Sequence, residues 1–165
     1  MKKIGILSDT HCCWDDRYLT YFEPCDEIWH AGDIGDEYIC DRLEEFRPLR
    51  AVFGNMDGMD LYMTLDEVMN FTVEDCRVML THIGGYPGHY KPGIRQKLIE
   101  NKPDLFVCGH SHILKVMYDK DLHLLHVNPG AAGRSGIHQV RTLVRLTIDG
   151  KDIRDLEVIE LADEK

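Results

Sequence analysis

Five short apolar runs in this chain each lead straight into a side chain of the kind that binds metal ions. Residues 4–7 lead to Asp9-Thr10-His11, and residues 28–31 to Gly32-Asp33. Residues 51–53 lead to Gly54-Asn55, residues 78–80 to Thr81-His82, and residues 105–108 to Gly109-His110-Ser111-His112. Apolar runs this short and this rich in β-formers, alternating with amphipathic segments, have the pattern of strands buried on both faces. In open α/β sheets the backbone leaves the core at the carboxyl ends of the strands, and binding sites gather there. Residues far apart in sequence are therefore expected to converge at one edge of a sheet.

The same periodicities outline the remaining elements. Buried strands are expected at residues 4–8, 27–31, 50–53 and 105–108. Tyr38, Ile39, Leu43 and Phe46 recur at helical spacing and predict a helix over Glu37–Phe46. Pro92–Asn101 predicts another, with proline at its start and Pro103 just beyond its end. Val68–Val73 and residues 77–81 flank Glu74-Asp75 as a hairpin. The final third changes character: residues 114–118 pair with 122–127 around Asp119-Lys120-Asp121, and 143–148 with 153–159 around Asp149-Gly150-Lys151-Asp152. Both read as antiparallel hairpins with turn residues suited to positive φ. Alternating β and α followed by hairpins predicts an α/β layered domain in which two sheets pack face to face. With 165 residues and no internal repeat or long linker, one domain over residues 1–165 is expected.

Composition limits the partners. A formal net charge of −10 argues against a nucleic-acid surface, which needs clustered Lys and Arg. It tolerates a phosphate substrate if bound divalent ions supply local positive charge. Asp9 interrupts the first apolar run before it could form a signal-peptide core, and no run is long enough to span a bilayer. A cytoplasmic protein without a membrane partner is expected, and a homo-oligomeric state is left open. The six cysteines contain no C-x-x-C pair and read as reduced packing thiols, with Cys12, beside a candidate ligand, as the one open to oxidation.

The residue types at the strand ends carry the chemistry. Four imidazoles (His11, His82, His110, His112), two carboxylates (Asp9, Asp33) and one amide oxygen (Asn55) exceed what one tetrahedral zinc requires, and suit two ions of intermediate hardness. Asp9/His11 and His110/His112 are i, i+2 pairs, which in an extended segment project to the same side. A carboxylate can bridge two cations about 3.5–4 Å apart, and Asp33 is the best candidate for the bridge. Singly, each motif is ordinary turn or cap chemistry. Five in order, each after a buried-strand pattern, are not.

The ordered set Asp9-x-His11, Gly32-Asp33, Gly54-Asn55-x-Asp57, His82 and Gly109-His110-x-His112 resembles the calcineurin-like metallophosphoesterase superfamily. The short length and the Gly-Asn-x-Asp form resemble its small prokaryotic YfcE-type phosphodiesterases. The resemblance spans about residues 2–132. It implies a four-layer αββα sandwich, two mixed β-sheets flanked by helices, with a dimetal site at one sheet edge. It implies one ion on Asp9, His11 and His112, the other on Asn55, His82 and His110, and Asp33 between them. Manganese is the expected metal, with zinc, iron or nickel as the family's other choices. Asn128-Pro129-Gly130 resembles a turn that closes such a site.

Two cations lower the pKa of a water held between them and bind phosphoryl oxygens. The expected reaction is therefore in-line attack of a metal-bridging hydroxide on the phosphorus of a small phosphate ester. Asp33, Asn55, Asp57 and His82 are the expected catalytic residues, Asp57 acting through water or a hydrogen bond to a ligand. Asn55 and His89 are expected to touch substrate, His89 from the glycine-rich segment at residues 83–90 that also holds Tyr86. Many phosphomonoesterases of the family carry His directly after the motif Asn; Met56 stands here and can donate nothing. That departure favours a phosphodiester or a substrate with a good leaving group. The alternatives are a phosphomonoesterase or nucleotide phosphatase, and a non-catalytic interaction scaffold on the same fold, as in the retromer subunit; against the scaffold, no ligand position is missing. Arg134 and His138 face either phosphate or solvent, His30 is a packing histidine or one behind the ligands, and His123 and His126 are structural.

Overall fold

The computed structural model describes residues 1–161. The chain runs through β1 (Lys2–Leu7), α1 (Arg17–Phe22), β2 (Glu27–His30), α2 (Glu37–Phe46), β3 (Leu49–Ala51) and α3 (Met59–Thr64). It continues with β4 (Val68–Val73), β5 (Cys76–Thr81), α4 (Pro92–Asn101) and β6 (Leu105–Val107). The last four strands are β7 (Lys115–Asp119), β8 (Leu124–Asn128), β9 (Arg141–Asp149) and β10 (Asp152–Leu161). Strands β1 to β10 form two five-stranded mixed sheets, ordered β10-β9-β1-β2-β3 and β4-β5-β6-β8-β7.

Strand alternation decides the layering. Ile4 and Ile6 of β1, Trp29 of β2 and Val144 and Leu146 of β9 point into the space between the sheets. There they meet Val78 and Leu80 of β5, Val107 of β6 and Val127 of β8, all essentially buried. Each such side chain contributes about 1.5–3 kcal/mol by leaving water. Leu7, Ile28 and Ala51 point the other way, onto Tyr18 and Phe22 of α1, Ile39 and Leu43 of α2 and Leu61 of α3. On the far side of the second sheet, Met79, Phe106 and Leu124 pack on Ile94 and Leu98 of α4. The result is the expected four-layer αββα sandwich.

Helices α2 and α4 occupy the ranges their periodicity predicts. The six-residue helices α1 and α3 were not anticipated, because one and a half turns carry too few repeats to show a period. The turn between β7 and β8 lies later than expected: β8 begins at Leu124, and the positive φ of 55° falls on His123. The second hairpin turns at Gly150 with φ 61°, as read, and Asp155 marks a bulge in β10. No helix among the described residues is long and apolar enough to cross a membrane.

Parallel pairing sets the edge. Leu7 of β1 lies beside His30 of β2, which lies beside Ala51 of β3. Leu80 of β5 lies beside Val107 of β6, which lies beside Val127 of β8. The carboxyl ends of these strands therefore release their loops side by side along one rim.

Candidate metal centre

The loops at this rim are sewn together by backbone bonds. Asp9 N–H donates to Gly32 C=O (2.9 Å), His11 N–H to Asp33 C=O (3.0 Å) and Cys12 N–H to Ile34 C=O (2.9 Å). The other sheet joins in through Gly109 N–H on His82 C=O (2.9 Å). Behind them, buried His30 accepts from Gly32 N–H at Nδ1 (3.1 Å), so its Nε2–H points at Thr10 Oγ1 (3.0 Å). Thr10 Oγ1–H in turn donates to Ile34 C=O (2.8 Å). Burial pushes the His30 imidazole down to about 3, so it serves this relay in the neutral form.

Two groups of ligand atoms face each other in the cleft between the loops: Asp9, His11 and His112 in one, and Asp33, His82 and His110 in the other. Asp9 Oδ1 lies 3.2 Å from His112 Nε2 and 3.7 Å from His11 Nε2. Asp33 Oδ2 lies 3.2 Å from His82 Nε2 and 3.6 Å from His11 Nε2, so a single oxygen faces both groups. Its other oxygen is occupied by Met56 N–H at 2.8 Å. Asn55 Oδ1 stands 3.1 Å from His110 Nδ1, which brings it to the second group. All seven residues singled out in the sequence thus meet at one place.

The i, i+2 pairs converge by a different route from the extended one expected. Asp9, His11, His110 and His112 all adopt left-handed φ, at 54°, 42°, 72° and 63°, and Asp33 does so at 52°. Such conformations are costly for non-glycine residues and persist where surrounding structure over-determines them. The glycine of the Gly-Asn pair has a separate task. A Cβ on Gly54 would collide with Asp33 Oδ1, so only a bare backbone fits there.

Hydrogen bonds behind the ligands fix which nitrogen faces the cleft. Ala31 C=O can only accept, so His82 Nδ1 donates to it at 2.7 Å and the lone pair of Nε2 looks at Asp33. Gly133 C=O likewise takes the Nε2–H of His138 at 2.7 Å. In the neutral ring that leaves His138 Nδ1 as acceptor for the Nδ1–H of His112 at 3.1 Å, so His112 Nε2 also offers a lone pair. Asp9 Oδ2 accepts from Ser8 Oγ (2.6 Å) and His110 N–H (3.1 Å).

This leaves Asp9 Oδ1, His11 Nε2 and His82 Nε2 buried with no hydrogen-bond partner. Lone pairs of imidazole turned toward carboxylates and away from water repel one another unless a cation lies between them. The pKa directions show the same demand. Burial by itself would raise the Asp9 and Asp33 carboxyls, yet the histidines against them hold both below the usual carboxylate range. Contact with Asp9 raises His11, and contact with Asp33 raises His82 against its own burial. The donor set fits two divalent ions.

Other residues take different places from those expected. Asp57 accepts from Gly35 N–H (2.9 Å) and Gly54 N–H (2.8 Å), clamping the Asn55 turn to the Asp33 loop where a hydrogen bond to a ligand side chain was expected. Met56 is 69% exposed and acts through its backbone. Arg134 is exposed, in keeping with the solvent alternative, and points to Cys13 Sγ at 2.9 Å, whereas half-buried His138 stands behind His112. His89 is exposed and packs on Tyr86, 4.7 Å between ring centres, at the rim of a cleft that His110 also lines. Sequence reasoning missed the role of Asn128. Its buried amide donates to Gly109 C=O and Ser111 Oγ, both at 3.0 Å, and so holds the turn that carries His110 and His112. The Asn-Pro-Gly string was the only signal for it.

Residues 1–151 match the model of the calcineurin-like phosphoesterase superfamily domain. A probable metallophosphoesterase of Methanothermobacter thermautotrophicus is 32% identical over 163 residues, covering 94% of this chain and 91% of that protein. Among solved structures, a novel archaeal phosphodiesterase superposes with a TM-score of 0.76 at 23% identity, over 96% of this chain and 99% of the other. Vps29 of Chaetomium thermophilum superposes at 0.77 with 16% identity, over 98% and 97%. These two share the fold.

Proposed function

This chain belongs to the calcineurin-like phosphoesterase superfamily and is a metal-dependent phosphoesterase; from that premise we propose that it is a phosphodiesterase that hydrolyses small phosphodiesters. The observation that carries the reading is the trio of buried polar atoms without a hydrogen-bond partner, Asp9 Oδ1, His11 Nε2 and His82 Nε2, in a cleft with two triads of ligand atoms. Asp9, His11 and His112 would hold one ion, Asn55, His82 and His110 the other, with Asp33 Oδ2 shared. Two divalent ions held there, manganese being the expected choice, would supply a water acidified to neutral-pH reactivity and a counter-charge for the phosphoryl oxygens.

The chain's own residues do the rest. Ala31, His138 and Gly133 set the tautomers of His82 and His112, keeping lone pairs turned inward. Asp57 and Met56 N–H fix the Asn55 turn and the Asp33 carboxylate in one arrangement. Asn128 fixes the turn bearing His110 and His112. Support for a diester comes from the position after Asn55. A thioether donates no proton to a leaving alkoxide, and both oxygens of Asp57 are engaged by backbone. Esters with stabilised leaving groups suffer least from that.

The test is a rate comparison in manganese between bis(4-nitrophenyl) phosphate and 4-nitrophenyl phosphate. Faster turnover of the diester is expected. Equal or faster turnover of the monoester would favour a phosphatase. A wild-type protein inactive on both with every divalent ion would end the catalytic reading.

A further inference from the structure

Beside the metal centre, on its His110 side, lies a cleft of about 400 Å³. One wall is the glycine-rich segment after β5, with Ile83 and Tyr86; the other is the segment after His110, with Ile113 and Lys115. The floor is His126 and Asn128 of β8. A volume of this size and a lining mostly apolar with a few polar groups are the attributes of a small-molecule site.

Three features separate it from an incidental groove. First, it is continuous with the metal centre, because His110 belongs to both. Second, it carries positive charge on a chain of net charge −10: Lys91 and Lys115 line it, and Lys115 Nζ sits 4.3 Å over the ring of Tyr86, bracing that ring as a flat face. Third, His126 is 1% exposed and its Nδ1 has no hydrogen-bond partner. Phe106 and Tyr90 pack around the ring at 5.7 and 6.4 Å between centres, so its place is fixed. Burial, with Lys115 adding to it, pushes the imidazole down to about 4, so the group on offer is neutral. A fixed, unpartnered polar atom under an apolar cleft is costly unless something occupies the cleft.

Resting on the phosphoesterase reading, we propose that this cleft is the specificity subsite for the organic substituent of the ester, and that it selects a planar heteroaromatic group. The ring lies between Tyr86 and Ile113, and its polar edge reaches His126. With the phosphoryl group at the metal centre, the substituent on the His110 side enters the cleft directly. A small alkyl ester leaves it unfilled. The arrangement binds without a covalent step, so its contribution appears in affinity and KM.

The experiment uses unreactive phosphonates on the manganese-loaded protein, with calorimetry as readout. Phenylphosphonate is expected to bind about tenfold more tightly than methylphosphonate, the range that apolar pocket contacts support, and a pyridylphosphonate more tightly still. The exposed-site double variant Tyr86→Ala/Ile113→Ser is expected to lose most of the aryl preference. Its affinity for orthophosphate and its metal content stay at wild-type values. His126→Phe, which keeps a ring between Phe106 and Tyr90, is expected to erase only the gain of pyridyl over phenyl. Orthophosphate binding with equal affinity for phenyl and methyl overturns this inference and leaves the phosphoesterase reading standing. An equal loss of orthophosphate in the double variant likewise overturns it. No binding of orthophosphate under any divalent ion overturns both.

Discussion

Replacing His138 by Phe would remove a hydrogen bond two steps from the chemistry and weaken one metal ion while sparing the other. The ring packs against His112 at 5.0 Å between centres, and phenylalanine preserves that contact. What it removes is the acceptor for His112 Nδ1–H at 3.1 Å and the anchor on Gly133 C=O at 2.7 Å. His112 is then free to flip or change tautomer, and the lone pair 3.2 Å from Asp9 Oδ1 is no longer enforced. Partners of this kind are worth about 10–100-fold in metal affinity, or about 1.4–2.8 kcal/mol. The loss should fall on the ion held by Asp9, His11 and His112. The ion at Asp33, His82 and His110 should keep its affinity within about threefold, because Ala31 sets the tautomer of His82 independently. Site-resolved manganese titration by calorimetry measures both. Equal weakening of the two ions, or none, would refute the claim that a relay through His138 orients His112.

Asn128→Ala makes a contrasting case: by freeing the turn under both His110 and His112 it should weaken both ions together and cost about 1–3 kcal/mol in denaturant unfolding. Gly54→Ala drives a methyl into Asp33 Oδ1, and should lower stability by about 1–3 kcal/mol and abolish hydrolysis, checked by thermal melting and initial rates. For His30, a folded pKa of about 3 lies below the unfolded value of 6.5, so the unfolded chain binds more protons between them. The stability this neutral imidazole contributes is complete above pH 6.5 and falls as pH drops, by about 2–3 kcal/mol at pH 4.5. Between pH 6.5 and 4.5 the metal-free His30→Gln protein should lose less stability than the wild type by that amount in denaturant titrations; parallel losses would contradict the assignment.

The convergence of the seven candidate residues, and two of the four helices among the described residues, were legible because each left a local mark. A buried strand followed by Asp, His or Asn needs no tertiary knowledge, and ten-residue helices such as α2 and α4 show enough turns to display a period or an end signal. What stayed hidden depends on distant contacts. Asp57 was expected to act through water or a hydrogen bond to a ligand, yet its oxygens are consumed by Gly35 and Gly54 N–H groups brought together only by folding. His138 and Asn128 act across 26 and 19 residues of sequence. The left-handed backbone at Asp9, His11, Asp33, His110 and His112 was invisible because none is glycine, the residue that ordinarily announces positive φ. That His126 Nδ1 has no partner was hidden as well, because a histidine in a strand gives no sign of how its nitrogens are paired.

The central claim is that Asp33 holds two divalent ions between two triads. The most direct test is an anomalous-difference map of manganese-loaded crystals of the wild type and of Asp33→Asn. The wild type should show two peaks about 3.5–4 Å apart, one against Asp9, His11 and His112 and one against Asn55, His82 and His110, with Asp33 Oδ2 reaching both. The Asp33→Asn protein should lose at least one peak. A single wild-type peak, peaks away from these residues, or two peaks unchanged in Asp33→Asn would contradict it.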